Sequence, residues 1–305
     1  MGRIAEALKR AERERLHHRA VQHQAASAVL DEAPAGRAVD HPTADPDQEQ
    51  HSGTAETGEQ SVSLDNGFHE SVVPYYDRSS VISEQYRSLR TRLLTQNPQN
   101  DHRVLAITSA IPREGKTVTT ANLSVILSEI RHFKVLCVDG DFRRSRLTQL
   151  LDAKAGPGLA DLLKGEAPYD EVVQRTSIPN LYFVAAGETS GCTAAELLSS
   201  QTAGAAVRRF QTEFHYTLVD TPPATTVTDV GIIGQMCNGV ILLVRLNFTP
   251  EPVARRAVRL LRVNKVPILG CLLIGQDNRA SGYGSSYYDH YRYYYYGSRD
   301  SDRKR

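Results

Sequence analysis

Apolar residues follow two different patterns between about residues 80 and 275. Short runs that are almost continuously apolar alternate with longer stretches in which apolar residues stand three or four positions apart. Continuous runs are typical of strands covered on both faces, and the wider spacing is typical of amphipathic helices. The runs predict strands over residues 104–108, 134–139, 181–186, 216–220, 240–245 and 268–274.

The segments between these runs carry the helical spacing. Leu123, Ile126, Leu127 and Ile130 lie on one helical face. Further helices are predicted over residues 144–152, 194–214, 228–237 and 250–264. Strands that alternate with helices in this way predict an α/β fold over residues 78–279, with a mostly parallel sheet flanked by helices.

The N-terminal part of the chain departs from this pattern. Residues 1–24 are predicted to form a charged helix, since residues 3–24 hold six Lys or Arg against three Glu and only a thin apolar stripe. This is either a solvated, marginal helix, which we favour, or a docking helix for a partner or an anionic membrane. Residues 25–77 are predicted to be a disordered acidic linker. Residues 31–77 carry a net charge of −10 and too few large apolar side chains to offset the entropy of ordering.

The C-terminal part is rich in tyrosine. Eight of the fourteen tyrosines lie after residue 280, separated by Gly, Ser, Asp and Arg, with no period that would bury them on one face. We predict a flexible, exposed tail over residues 280–305. Its tyrosines are Tyr283, Tyr287, Tyr288, Tyr291, Tyr293, Tyr294, Tyr295 and Tyr296.

Composition excludes several classes of protein. The 36 Lys and Arg nearly balance the 35 Asp and Glu, which argues against a protein that coats nucleic acid. No apolar run is long enough for a membrane span, and the first residues lack the apolar core of a secretory leader. The cysteines lie far apart, without the spacing of zinc ligands, so we expect reduced thiols and a cytoplasmic protein. They are Cys137, Cys192, Cys237 and Cys271.

A candidate phosphate loop joins the first predicted strand to the helix that follows it. Its sequence, SAIPREGKT, runs from Ser109 to Thr117. Gly115 allows the backbone to approach a phosphate, Lys116 would hold the β- and γ-phosphates, and the Thr117 hydroxyl would bind Mg²⁺. The strict pattern G-x₄-G-K-[ST] is not met, because Ala110 stands at the first glycine position. The flanking strand and helix nevertheless argue against a chance match.

Three aspartates stand at the ends of two other predicted strands. Asp139 and Asp141 follow the second strand, and Asp220 ends the strand with sequence YTLVD. One such aspartate is commonly a helix cap. Three at the ligand-binding edge of a parallel sheet, beside a phosphate loop, are better explained by a hydrated Mg²⁺ and a general base.

Taken together, these motifs resemble the bacterial tyrosine kinases (BY-kinases), P-loop autokinases of capsule and exopolysaccharide synthesis. SAIPREGKT is similar to their Walker A motif, VLCVDGDFR to Walker A′ and YTLVDTPP to Walker B. The segment EQYRSLR, from Glu84 to Arg90, resembles the family's E-x-x-R-x-x-R motif, and the tyrosine-rich tail is a fifth similarity. The resemblance covers about residues 75–297.

The resemblance implies roles for these residues. Catalysis would use Lys116, Asp141 and Asp220, with Asp139 as the base that accepts the tyrosine proton. Thr117, Asp141 and Asp220 would bind Mg²⁺, and the tail tyrosines would be the phosphoacceptors. ATP would be bound by Pro112, Arg113, Glu114, Gly115, Lys116, Thr117 and Val118.

It also implies partners. Glu84, Arg87 and Arg90 would join protomers into a ring that phosphorylates its tails in trans. A separate membrane-spanning activator of the polysaccharide chain-length type would recruit the cytoplasmic kinase to the inner face of the membrane, and a tyrosine phosphatase would reverse its reaction. No nucleic acid is expected.

The sequence departs from the family at several positions. Many relatives carry Gly, Asp or Ser where Arg113 stands, and the asparagine usual near the end of the last strand is replaced by Ile274, which leaves the adenine contact undefined. A proline-rich stretch is replaced by residues 191–194.

Two alternatives stay open. The first is a ParA/MinD-like ATPase switch that positions cargo on membrane or DNA, although the signature lysine of such switches is replaced by Ile111. The second is a scaffolding or nucleic-acid-binding protein that uses the Tyr/Arg tail; this alternative does not account for the ATP site.

Overall fold

A computed structural model describes residues 67–226 and 228–275 of the chain. Within these ranges, the strands are β1 (Arg103–Ser109), β2 (Val135–Asp139), β3 (Gln174–Arg175), β4 (Leu181–Val184), β5 (Tyr216–Asp220), β6 (Gly239–Arg245) and β7 (Ile268–Ile274). The helices are α1 (Val73–Tyr76), α2 (Val81–Thr95), α3 (Lys116–Ser128), α4 (Leu147–Leu150), α5 (Leu159–Lys164), α6 (Tyr169–Val172), α7 (Ala194–Leu198), α8 (Gln201–Glu213), α9 (Asp229–Met236) and α10 (Glu251–Val263).

The strands form one sheet in the order β3-β4-β2-β5-β1-β6-β7. Every neighbouring pair is parallel except β3 and β4. The carboxyl ends of β2, β5, β1 and β6 therefore lie side by side at one edge. This is the edge at which ligands bind in open α/β sheets.

The central strands of the sheet are buried on both faces, whereas Leu269 and Leu273 of the edge strand β7 are exposed. Along β1, Val104 and Ala106 pack into one apolar cluster with residues of α5, α8, α9 and α10, whereas Leu105 and Ile107 pack into a second cluster with residues of α2 and α3. Side chains alternate between faces along a strand, so a strand covered on both sides needs an apolar residue at every position. This explains the continuous apolar runs, and all six predicted strands are confirmed.

Two predicted helices differ from those in the structure. The helix predicted over residues 144–152 is only the single turn α4, because the backbone N–H groups of Arg143 and Arg144 donate to the Asp141 carboxylate instead of entering a helix. The helix predicted over residues 194–214 is divided into α7 and α8. Ser200 accepts a hydrogen bond from the Ala203 N–H and so starts a new helix.

The predicted disordered linker was wrong at its C-terminal end. Phe68 and Val72 are buried in the cluster around α3, the Phe68 ring stacks on Tyr75, and the Ser71 carbonyl accepts a hydrogen bond from Asn122. The strongly acidic composition of the whole window concealed this short apolar segment. The folded part therefore includes residues 67–77, while residues 1–66 lie outside the described ranges.

The described part of the chain contains no helix that is both long and apolar enough to cross a bilayer. The cysteine thiols are free, as predicted: Cys137 and Cys237 are buried, Cys271 is half-buried and Cys192 is exposed.

Candidate nucleotide site

The phosphate loop is placed between β1 and α3, as the sequence predicts. Gly115 has a φ of 81°, in the left-handed region, and directly precedes the first turn of α3. Arg113 also lies in this region, with a φ of 66°, at a cost of roughly 1 kcal/mol for a residue with a side chain. Lys116 opens α3 and is buried, and its backbone N–H is among those left without a helical partner. Loop and helix thus form a cradle for phosphate.

A fully buried carboxylate fixes the shape of this loop. Glu114 accepts a hydrogen bond from the Ile111 N–H at 2.6 Å within the loop, and from the Arg245 N–H at 3.1 Å at the end of β6. The Thr249 hydroxyl also donates to Glu114, and the Arg245 guanidinium donates to the Arg113 carbonyl at 3.4 Å. The loop is therefore tied to the segment between β6 and α10.

The three predicted aspartates come together beside the loop. Asp139 and Asp220 are register partners at the ends of the paired strands β2 and β5, and both are buried. Asp139 accepts hydrogen bonds from the Ser145 hydroxyl at 2.9 Å and from the Asp141 and Leu147 N–H groups. Burial, together with the charge of Asp220, raises the pKa of Asp139 to about 8 despite these bonds.

Asp220 has a different environment. Neither of its carboxyl oxygens has a hydrogen-bond partner among the described residues. Burial raises its pKa to about 7; the nearby Thr117 hydroxyl and Lys116 ammonium oppose the rise, and the Asp141 charge adds to it. No hydrogen bond of normal geometry joins Asp220 to the hydroxyl of Thr117 or Thr120, although both hydroxyls lie close to it. A buried carboxylate with this surplus of acceptor capacity is suited to a cation.

The donor set fits a magnesium ion bound together with a nucleotide. No cluster of three or more His, Cys, Asp or Glu in the described ranges could hold a metal alone. Mg²⁺ does not require one, since it is usually held by one or two carboxylates with phosphate oxygens and water. Asp220 and the Thr117 hydroxyl would supply protein oxygens here, and Asp141 lies close enough to influence the pKa of Asp220.

Comparison with known proteins relates the chain to tyrosine-protein kinases. No family model matches the chain. The tyrosine-protein kinase YwqD of Bacillus subtilis is 29% identical over 231 residues, which cover 75% of this chain and 92% of YwqD. The tyrosine-protein kinase wzc of Salmonella typhimurium is 30% identical over 212 residues, which cover 70% of this chain. The chain spans only 29% of the length of wzc.

A solved structure agrees with these relatives. The kinase domain of the Escherichia coli tyrosine kinase ETK matches with a TM-score of 0.65 and 25% identity, over 69% of this chain and 82% of that domain. In both sequence and fold, the chain is similar to the bacterial tyrosine kinases.

The fold of the chain is also found outside these kinases. MinD of Pyrococcus horikoshii, solved with Mg-ADP, matches with a TM-score of 0.50 and 24% identity over 58% of this chain. This likeness shows the P-loop fold alone. Ile111, at the position of the signature lysine of MinD-like switches, donates its N–H to Glu114 and lies within the loop.

The predicted oligomerisation residues lie on α2 and have partners within the same chain. Arg87 donates to Glu129 at 2.9 and 3.2 Å and to Glu84 at 2.6 Å. Arg90 donates to Glu129 at 2.9 Å and to the Ile126 carbonyl at 2.7 Å. Against the effect of burial, these guanidinium groups lower the pKa of Glu129. In a single chain, the motif thus braces α2 against the end of α3, and its role between protomers stays a prediction.

The remaining predicted site residues lie at the edge of the loop or outside the described residues. The eight tail tyrosines lie outside the described residues. Pro112 and Arg113 are exposed at the mouth of the loop, and Val118 follows Thr117 in the first turn of α3.

Sequence reasoning did not identify the partners of Glu114 or the role of Ser145. Two of the Glu114 partners, the Arg245 N–H and the Thr249 hydroxyl, lie 131 and 135 residues away along the chain, so no local pattern indicated them.

Proposed function

We propose that the chain is an ATP-dependent protein-tyrosine autokinase, which phosphorylates the tyrosines of its own C-terminal tail. The observation that carries this proposal is the buried Asp220 carboxyl, which lacks a hydrogen-bond partner among the described residues and lies beside Lys116 and Thr117. When bound, Mg²⁺ neutralises charge on the β- and γ-phosphates of ATP and on this carboxylate. ATP and Mg²⁺ are therefore the cofactors that we expect.

Each residue of the site has a defined part in the proposed transfer. The tyrosine oxygen attacks the γ-phosphorus, the bond to the β–γ bridging oxygen breaks, and ADP leaves. Lys116 and the loop N–H groups stabilise the negative charge that spreads over the phosphoryl oxygens. Asp139 accepts the phenol proton, and its raised pKa, close to neutral, suits a general base.

A phosphotyrosine assay with a matched pair of lysine variants tests the proposal. Lys116→Met removes the phosphate-binding cation, so phosphotyrosine formed with Mg-ATP should disappear while the melting temperature changes little. Lys154→Met removes an exposed lysine far along the chain and should label like the wild type. Undiminished labelling of the Lys116 variant, or a wild type that forms no phosphotyrosine, would contradict the kinase assignment.

We further propose that copies assemble into a ring through Glu84, Arg87 and Arg90, and that each tail is phosphorylated by the next protomer. Each phosphate adds about −1.5 to −2 charges, so a fully modified tail is repelled by Asp139, Asp141 and Asp220. Unphosphorylated protein should therefore be a large oligomer, and phosphorylated protein should be monomeric. Light scattering on both forms decides this, because equal masses would contradict the switch.

The expected biological role is control of capsule or exopolysaccharide polymerisation and export. It rests on the family resemblance, as do a membrane-spanning activator that recruits the kinase to the inner face of the membrane and a tyrosine phosphatase. A cytoplasmic fragment of such an activator should stimulate the isolated chain. Deletion of residues 1–66, which leaves the folded part intact, tests the N-terminal helix: unchanged stimulation would remove that helix from the mechanism.

A further inference from the structure

A short turn after β6 is fixed against the phosphate loop. Within it, the N–H groups of Phe248 and Thr249 donate to the Arg245 carbonyl at 3.3 and 2.9 Å. Both ends of the turn donate to the buried Glu114 of the loop, through the Arg245 N–H and the Thr249 hydroxyl. The position of the turn is thus set by the loop.

This turn presents an aromatic ring to solvent. Phe248 is 45% exposed, and the Arg245 guanidinium lies 5.2 Å from the centre of its ring. The same guanidinium donates to the Arg113 carbonyl of the phosphate loop. The Arg245 guanidinium therefore lies between the Phe248 ring and the phosphate loop and contacts both. Core packing does not account for a phenylalanine in this position.

The sheet order sets the direction in which a bound nucleotide extends. β1 carries the phosphate loop, with β5 on one side of it and β6 on the other. Asp139 and Asp220 lie on the β5 side, and under the proposed function they face the reacting γ-phosphate. The ribose and base must then extend from the loop towards β6 and β7.

The ends of β6 and β7 form a surface suited to a base. The Leu246 N–H donates to the Ile274 carbonyl at 2.9 Å, so the turn and the end of β7 are joined. The Ile274 side chain reaches the loop, since its Cδ1 lies 3.0 Å from the position that a Cβ on Gly115 would take. Phe248 and Ile274 are apolar, and the guanidinium of Arg245 is planar. Bases stack on such aromatic and guanidinium groups.

We propose that Phe248, with the Arg245 guanidinium beside it, forms the stacking surface for the nucleobase of ATP. The inference deepens the proposed function, on which it rests for the identity of the nucleotide. It assigns an aromatic contact to the base in a chain whose last strand carries Ile274 in place of the family's asparagine.

The first test compares two ligands that differ in the nucleoside. For Phe248→Ala, we expect the Kd of Mg-AMP-PNP to rise about tenfold, as for the loss of one base-stacking contact, while the Kd of magnesium tripolyphosphate stays unchanged. Val263→Ala, which shortens a side chain that is 73% exposed at the end of α10, should change neither value. Unchanged binding of AMP-PNP by Phe248→Ala would overturn the proposal. So would an equal loss for both ligands, since that indicates a distorted loop.

A second test uses the absence of tryptophan from the chain. Phe248→Trp places a single indole on the proposed surface, and Mg-AMP-PNP should quench its fluorescence while magnesium tripolyphosphate should not. Val263→Trp should respond to neither. Equal responses of Phe248→Trp to both ligands would contradict stacking on the base.

Neither binding test requires phosphoryl transfer. A wild type that binds AMP-PNP and fails to form phosphotyrosine would defeat the kinase function and leave the base contact standing. If the wild type forms phosphotyrosine and Phe248→Ala binds AMP-PNP as tightly as the wild type does, the kinase function stands and the base contact is refuted.

Discussion

Replacement of Asp220 by asparagine should stabilise the nucleotide-free protein above neutral pH. The carboxyl is buried without a partner among the described residues, and its pKa is raised from 3.8 to about 7. At 1.36 kcal/mol per pH unit, the ionised form in the folded protein costs about 4 kcal/mol. The asparagine amide also lacks partners there, which costs about 1–3 kcal/mol. A net gain of about 1–3 kcal/mol follows for Asp220→Asn.

The gain should depend on pH with a definite sign. Because folding raises this pKa, between about pH 4 and pH 7 the folded protein keeps a proton that the unfolded chain has released. The contribution of the protonated Asp220 carboxyl to the stability of the wild type is therefore fully present below about pH 4. It decreases as the pH rises and is lost above about pH 7. The variant lacks the titrating group, so its advantage should be small at pH 5 and full at pH 8.

Urea unfolding of both proteins at pH 5 and pH 8, in EDTA, measures the difference. Glu171→Gln, which neutralises an exposed carboxylate, is the matched control and should show no such change with pH. Saturating Mg-ADP at pH 8 should reverse the order, because the wild-type carboxylate then gains its cation. If Asp220→Asn is no more stable than the wild type at pH 8, or if its advantage is equal at both pH values, the ionised Asp220 carboxylate does not destabilise the folded protein.

Three further perturbations test the loop, the proposed base and the contact between α2 and the end of α3. Glu114→Ala should lower stability by about 1–3 kcal/mol and weaken tripolyphosphate binding, whereas Glu114→Gln, which keeps an acceptor, should lose less in the same titrations. Asp139→Asn should reduce phosphotyrosine formation more than the affinity for ATP, and equal losses would make Asp139 a metal ligand instead. Arg87→Ala with Arg90→Ala should cost about 1–3 kcal/mol, measured by urea unfolding, by leaving the half-buried Glu129 carboxylate unpaired. Light scattering on the same variant reports whether the residues also join protomers, since an undiminished oligomer would exclude them from the interface.

The apolar pattern predicted the sheet well because burial on both faces requires apolar residues at every position of a strand. The same reasoning could not predict β3, whose two residues carry no pattern. It also failed for residues 144–146. There the Asp141 and Asp139 carboxylates accept the backbone N–H or hydroxyl groups of the following residues, and these bonds compete with a helical turn.

The candidate site was predictable to the extent that it is local. Gly115, Lys116 and Thr117 stand together in one loop, and Asp139 and Asp220 each end a recognisable strand. That the two strands are neighbours follows from the sheet order, which the apolar pattern does not determine.

The site contains two buried carboxylates whose roles are distinguished by their hydrogen bonds. Glu114 and Asp220 are both almost fully buried, and their motifs assigned Glu114 to ATP binding and Asp220 to Mg²⁺ binding and catalysis. Glu114 is satisfied by the Ile111 and Arg245 N–H groups and the Thr249 hydroxyl, so it can hold the loop in place before any ligand arrives. Asp220 has no such donors within the described ranges, and its charge is left for a cation to balance. Residue type and spacing do not reveal this difference. It depends on the hydrogen-bond donors that the fold places beside Glu114 and does not place beside Asp220.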